Sequence, residues 1–353
     1  MARSKVRMVT RRLFCAAAGL GLLAATTLSA PAVAQDKLKV NIGVAGFHFV
    51  PYMPIILARE LGMFEKAGLD AELVSINGGS LVATALIGGS IDVASGYYEH
   101  TITFASKGKD VRAIVLTTKL PGMALYVAPP SFDEVKTVKD LAGKSVGVTS
   151  PGSATDFLLK YILRKDGVDE NSVSIVAVGG PASTIAAAEQ GQVAAVVNGE
   201  PSITPLQMKD PDRFRILADT RTEEGTKELF GGEYPAASLY ARAEWIDSHQ
   251  EEARRLAKAM VMTLRWMHSH TTQEWVDTMP ADIVGENPEQ YLQIINNMQQ
   301  IFSETGRIEP EAAEHPFELL KESVPELASA DVDLANTYTN EFADAANKEL
   351  GTQ

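Results

Sequence analysis

Between residues 38 and 200 the sequence passes through one order of elements twice. In the first pass, Leu38–Ala45 reads as a strand, Pro54–Ala67 as a helix stopped by Gly68, Ala71–Ile76 as a strand and Leu81–Ile87 as a helix. Ile91–Ala94 and Val111–Thr117 follow as strands. The second pass has strands at Lys144–Thr149, Val173–Val178 and Val193–Val197, with helices at Ala154–Arg164 and Ser183–Glu189 between them. Each pass contains a double glycine, a helix, a single glycine and a strand. Gly78-Gly79 leads to Gly89-Ser90-Ile91-Asp92-Val93-Ala94, and Gly179-Gly180 leads to Gly191-Gln192-Val193-Ala194-Ala195-Val196. Gly89 to Gly191 and Val93 to Ala195 are each offset by 102 positions. Short β-branched runs alternating with helical patterns imply parallel βαβ units. The expected fold class is therefore α/β, with two lobes of related topology.

The last third is helical. Gln250–His268 places Leu256, Met260, Leu264 and Met267 on one face. Pro288–Ser303 and Ser329–Leu350 follow, and this tail is expected to return to the first lobe. Ala124–Pro129 and Tyr234–Tyr240 are extended and are taken as the two crossings of a hinge. The expected division is residues 35–125 plus 236–353 for lobe 1 and 126–235 for lobe 2, with a cleft between them.

Residues 1–34 are read separately, as a secretory signal. They hold five bases and no acid, an apolar run from Leu13 to Leu28, and the small-x-small site Ala32-Val33-Ala34. Thr10-Arg11-Arg12-Leu13-Phe14 also resembles a twin-arginine export motif, leaving Tat and Sec export both open. The one cysteine, Cys15, precedes most of the apolar stretch, which argues against a lipid anchor. The mature chain then has neither disulfides nor a thiol nucleophile, and it carries 27 bases against 45 acids, a charge of −18. No basic stripe offsets that charge, which excludes a nucleic-acid partner. The expected protein is soluble, periplasmic and monomeric.

Ligands of open α/β sheets bind beyond the carboxyl ends of the strands. Six loops occupy such positions: Gly46–Tyr52, Asn77–Ser80, Gly96–His100, Ser150–Thr155, Gly179-Gly180 and Asn198–Pro201. Several are rich in Gly, Ser and Thr and lead straight into helices, whose first N–H groups and positive dipole ends suit an anion. Ser80, Ser153 and Thr155 are candidate hydroxyl donors. Phe47, His48, Phe49, Tyr52, Tyr97, Tyr98 and His100 place rings in the first lobe's loops, an arrangement suited to a cleft with apolar walls and polar tips. Phe49 and one of the two adjacent tyrosines could equally be core plugs. Glu99 and Glu200 sit at analogous loops; each is read either as a receptor for a ligand amine or amidine or as a helix cap.

Gly46–Tyr52, followed by Ala58-Arg59-Glu60-Leu61-Gly62-Met63-Phe64-Glu65-Lys66-Ala67-Gly68-Leu69, resembles the opening of the nitrate/taurine/alkanesulfonate-type periplasmic binding proteins, a group that includes binders of thiamine-pyrimidine precursors. The Gly-Gly-Ser turn, the Gly89–Ala94 segment and Asn198-Gly199-Glu200-Pro201 fit the same family. The resemblance spans roughly residues 38–235. It implies a type II-like two-lobe binding protein with a two-strand hinge and a helical C-terminal tail. Such a protein closes on its small-molecule solute and docks on an ABC permease served by a separate ATPase subunit. It places ligand contacts near His48, Tyr52, Gly79, Ser80, Tyr97, Tyr98, Ser153 and Glu200, to which the hydroxyl argument adds Thr155. The solute expected is a small sulfonate, taurine or nitrate-like anion. All three tryptophans, Trp245, Trp266 and Trp275, lie outside the candidate loops, in contrast to the sulfonate-specific members. A pyrimidine, an aromatic acid or another ring-containing solute is the alternative.

Catalytic and cofactor motifs are incomplete. Gly143-Lys144-Ser145 resembles the end of a P-loop, but Val138 stands where its first glycine belongs. Ser106-Lys107-Gly108-Lys109 fits Ser-x-x-Lys without its companion motifs. His268 and His270, two positions apart on a helix, point their rings apart and make a poor metal pair. No catalytic residue, metal or cofactor is expected. The rival reading is an enzyme of pyrimidine-precursor synthesis, whose Cys-rich run this sequence lacks.

Overall fold

The computed structural model describes residues 37–351; the expected leader, with Cys15 and its arginine pair, lies outside them. Ten strands form two sheets. In chain order they are β1 (Leu38–Val44), β2 (Leu69–Ser75), β3 (Val93–Tyr97), β4 (Val111–Leu116), β5 (Met123–Val127), β6 (Ser145–Val148), β7 (Ser174–Ala177), β8 (Ala195–Gly199), β9 (Arg215–Asp219) and β10 (Ala237–Arg242). The first sheet has the order β2-β1-β3-β10-β4 and the second β7-β6-β8-β5-β9. The two orders match position for position, so the repeat in the sequence is a repeat of topology.

The parallel βαβ units are present, β1 with β2 and β3 and β6 with β7 and β8, but both sheets are mixed. β10 runs antiparallel to both β3 and β4, and β5 runs antiparallel to both β8 and β9. These are the segments taken as hinge crossings, Ala124–Pro129 and Tyr234–Tyr240. Each is instead the fourth strand of a sheet, and every residue of β5 is buried. The chain passes from the first sheet to the second through residues 117–122 and returns through residues 220–236. Met-Ala-Leu-Tyr-Val and Ala-Ser-Leu-Tyr-Ala are apolar on both faces, as strands covered on both sides must be. A short apolar run of this kind does not announce its direction or which lobe it serves.

Helices pack on both sheets. Helix Gln250–Ser269 turns Leu256, Met260, Leu264 and Met267, all 0 % exposed, onto the first lobe. It packs there on helices Met53–Glu60 and Met63–Lys66. Burial of each such side chain contributes about 1.5–3 kcal/mol. The single helix expected over 54–67 is broken at Gly62, whose φ of +64° suits glycine. The tail divides into helices at Pro288–Met298, Pro310–Ser323 and Glu341–Leu350. It does not return to the first lobe alone: helix Pro310–Ser323 packs on helix Ala154–Lys165 of the second lobe as well as on helix Glu99–Ala105 of the first. Among the described residues no helix is long and apolar enough to cross a membrane.

Candidate functional site

Loops from the carboxyl ends of β1, β2, β3, β6 and β8 meet between the sheets around a small cavity. Ala45, Phe49, Pro51, Tyr52, Gly79, Tyr97 and His100 line it from the first lobe; Thr149, Ser153, Ala154, Thr155, Asn198 and Gly199 face them from the second, and Met123 closes one side. The lobes touch around it. Ser80 and Ser150 share a hydrogen bond of 2.9 Å, and the Val50 N–H donates to the Glu200 carbonyl at 3.2 Å. The space open to the centre of a water-sized sphere is ≈ 30 Å³, room for a compact group of a few atoms, since one water needs about 10–15 Å³ by this measure.

The second-lobe wall is built on the N-terminus of helix Ala154–Lys165. Ser153 is its N-cap residue, yet the Ser153 side chain makes no capping bond to the helix. Its hydroxyl instead forms a triangle with the Thr149 and Thr155 hydroxyls, each pair 2.9 Å apart. The Thr149 N–H donates to Thr155 Oγ1 at 2.9 Å, fixing the strand end against the helix start. Ser153 and Thr155 are 2 % and 4 % exposed. Hydroxyl hydrogens rotate freely about their C–O bonds. An anion at the helix end would exchange a neutral hydroxyl–hydroxyl bond for a charge-assisted one, roughly twice as strong.

The first-lobe wall is aromatic. Tyr52 and Tyr97 meet edge to face, with ring centroids 6.1 Å apart, and the Tyr97 hydroxyl donates to the Pro121 carbonyl at 2.5 Å. Burial pushes both phenols well above their ordinary values, so both stay neutral. His100 is 3 % exposed and its Nε2 has no partner in the protein. A Cβ on Gly79 would lie 2.9 Å from that nitrogen, so Gly79 makes room for the ring. Burial lowers the His100 pKa to about 4, which leaves the imidazole neutral near neutral pH.

Of the nine residues expected to touch ligand, Tyr52, Gly79, Tyr97, Ser153 and Thr155 line the cavity. The other four are placed elsewhere. His48 lies on an outer groove with Gly180, Ser183 and Pro201. Ser80 is held in the contact between lobes by Ser150. Tyr98 is fully buried, its hydroxyl 2.5 Å from Thr337 Oγ1, and so anchors the C-terminal tail. Glu200 turns into its own lobe. It accepts from the Thr204 N–H at 3.1 Å and the Thr204 hydroxyl at 2.6 Å, and pairs with Arg221 at 2.8 Å. The carboxylate is thereby committed to a helix start and a guanidinium, as in the second of its two readings, that of a helix cap. His100, expected among the rings of the cleft, is on the wall; the sequence reading did not single out Thr149, Asn198 and Met123. Their signal was position alone, since each stands at or just beyond a strand end. Phe49, read as a possible core plug, also forms part of the wall.

Among the described residues no group of three His, Cys, Asp or Glu could hold a metal ion. In its fold the chain is similar to a protein of known structure from Bordetella bronchiseptica RB50, 33% identical, with a TM-score of 0.84 over 89% of this chain and 98% of that one. The alkanesulfonate-binding protein SsuA from Xanthomonas axonopodis pv. citri, solved with MOPS bound, superposes with a TM-score of 0.67 at 16% identity, over 86% of this chain and 99% of that one. This likeness is one of fold: the two share the two-lobe α/β architecture. The bicarbonate transport ATP-binding protein CmpC of Synechocystis sp. is 25% identical over 247 residues, 65% of this chain; the match spans only 36% of CmpC. The family model described as NMT1/THI5 like matches residues 51–274, from the first cavity loop through the long helix that covers lobe 1, and the chain belongs to the NMT1/THI5-like family.

Proposed function

We propose that this protein is the periplasmic solute-binding component of an ABC importer and that it holds a small organic or inorganic anion between its lobes. One observation carries the reading. A helix N-terminus left uncapped by its own Ser153 presents three mutually bonded hydroxyls to a cavity walled on the other side by the facing lobe. The unpartnered, buried His100 Nε2 on that facing wall independently supports the reading. The two connections at residues 117–122 and 220–236 serve as the hinge, and the Ser80–Ser150 and Val50–Glu200 bonds hold the closed form. A solute touching both walls stabilises that form, which is the one a permease would recognise. The leader at residues 1–34 would deliver the chain to the periplasm, and the nucleotide-hydrolysing step belongs to a partner subunit.

Sulfonate, taurine and nitrate-like anions are the solute class this reading favours, in line with what SsuA is named for binding. The tyrosine pair on the first-lobe wall favours a second reading, a ring-containing solute; the narrow cavity requires the lobes to stand further apart to admit one. A thermal-shift screen of the purified protein with nitrate, taurine, alkanesulfonates, aromatic carboxylates and pyrimidines separates the two. A solute at 100 times its dissociation constant stabilises the fold by about 2.7 kcal/mol, which raises Tm by a few degrees in a protein of this size. Shifts confined to small anions, and lost in Ser153→Ala/Thr155→Val, support the anion reading. Shifts confined to ring compounds overturn it.

A further inference from the structure

We propose that the solute carries a hydrogen-bond-donating, cationic end opposite its acid group, and that this end is received at His100, beside the buried polar groups of Glu99, Ser238 and Tyr240. The proposal rests on the anion reading above and names the other pole of the same ligand.

Five buried side-chain polar atoms among the described residues lack a partner: Glu99 Oε2, His100 Nε2, Asp156 Oδ1, Ser238 Oγ and Tyr240 OH. Native interiors leave few such atoms, because each is destabilising unless something satisfies it. Four of the five come from one place. Ser238 and Tyr240 alternate along β10, opposite Gly96 and Ala94 of β3, and Glu99 and His100 open the helix just beyond β3. A Cβ on Gly96 would lie 2.8 Å from the Tyr240 hydroxyl, so glycine there lets the phenol lie across β3. The His100 and Tyr240 rings stand 6.4 Å apart, and His100 meets Phe157 of the facing helix edge-on at 6.1 Å. His100, the member of this group on the cavity wall, faces the hydroxyls of Thr149, Ser153 and Thr155 across the cavity.

Its chemistry specifies the guest. Glu99 is 1 % exposed and has no cation among the influences acting on it. The groups that feel its charge are the phenols of Tyr52, Tyr97, Tyr234 and Tyr240; Lys107 acts on His100. A carboxyl, two hydroxyls and a neutral imidazole offer acceptors in excess and no positive charge. An ammonium or amidinium at the cavity wall gives His100 Nε2 a donor and brings in the positive charge that the group lacks. His100 stands at the cavity wall and Glu99 does not reach it, so His100 meets the guest while Glu99 acts through the field behind it. Burial holds the Glu99 carboxyl up at about 8. A cation arriving beside it drives off that proton, so binding of an amine-bearing acid releases a proton where binding of the plain acid does not.

The test compares ligand pairs that differ only in the amine: taurine with ethanesulfonate, and β-alanine with propionate. Each is titrated calorimetrically into the purified protein near neutral pH, in two buffers of different ionisation enthalpy. The amine-bearing member of a pair should bind at least about tenfold tighter, with net proton release, and Glu99→Gln should bring the affinity ratio toward one and abolish the release. Ser238→Ala, a smaller change, should reduce the ratio if Glu99→Gln fails to fold. Equal affinities within both pairs would overturn this proposal and leave the anion reading intact. No binding by any of the four would count against both.

Discussion

Replacing Glu99 by Gln should make the protein more stable, and only at the upper end of the pH range. The carboxyl has an ordinary value of 4.5 and is held at about 8 by burial. A raised folded value means that the folded state binds the proton more tightly than the unfolded chain. The stabilisation is complete below 4.5 and is lost as pH rises towards about 8. At about 1.36 kcal/mol per pH unit, the gap amounts to about 5 kcal/mol as a ceiling, of which about 3 kcal/mol falls between about pH 5 and about pH 7.5. This is a large share of the roughly 5–15 kcal/mol typical of a folded domain. His100 works in the opposite sense. Its lowered value stabilises the fold above 6.5, and that contribution is lost as pH falls to about 4. Both proteins carry His100, so its contribution cancels in their difference. Urea unfolding of wild type and Glu99→Gln across this range measures that difference. The two should agree near pH 5 and separate steadily above it, with the variant the more stable. Curves that stay parallel from pH 5 to about 8 would refute the picture of a carboxyl buried without a cation.

Three further substitutions test the site. Gly79→Ala places a methyl 2.9 Å from His100 Nε2; it should weaken solute binding about tenfold and destabilise the fold by about 1–3 kcal/mol, read by calorimetry and urea unfolding. Glu200→Ala leaves Arg221 without one partner and uncaps helix Thr204–Lys209. It should lower stability by about 3–5 kcal/mol, the usual effect of breaking a buried pair, and a full loss of affinity at unchanged stability would return Glu200 to the ligand. Thr155→Val removes one corner of the hydroxyl triangle at nearly constant volume and should weaken anion binding by about 1.5–3 kcal/mol, the range for a hydrogen bond to a charged group, and lower stability by about 1–3 kcal/mol because the Thr149 N–H loses its acceptor.

Much of this architecture was legible because the constraints on it are local. Strand-then-helix alternation and the repeated glycines fixed two lobes of matching order, and the rule that ligands sit beyond strand ends led to Ser153, Thr155, Gly79, Tyr52 and Tyr97. What escaped the reading depends on contacts distant in sequence. β5 and β10 looked like crossings because direction and sheet membership are set by partners far along the chain, such as β8 and β9 for β5. The helix Pro310–Ser323 gave no sign of the lobe it would serve, and it rests on helices of both. Glu200 and Tyr98 sit in loops of the right kind, but Arg221 and Thr337 claim their side chains. Serine and threonine spacing suggested hydroxyl donors at Ser153 and Thr155; that Thr149 completes the set follows from the turn bringing the end of β6 back on the helix.

The most direct measurement is a crystal structure of the protein with the small anion that most raises its Tm in the screen. The account places the acid group of that solute between the lobes, within hydrogen-bonding distance of the Thr149, Ser153 and Thr155 hydroxyls and facing His100. Density for the solute on the outer groove beside His48 and Pro201, with the hydroxyl triangle undisturbed, would contradict it.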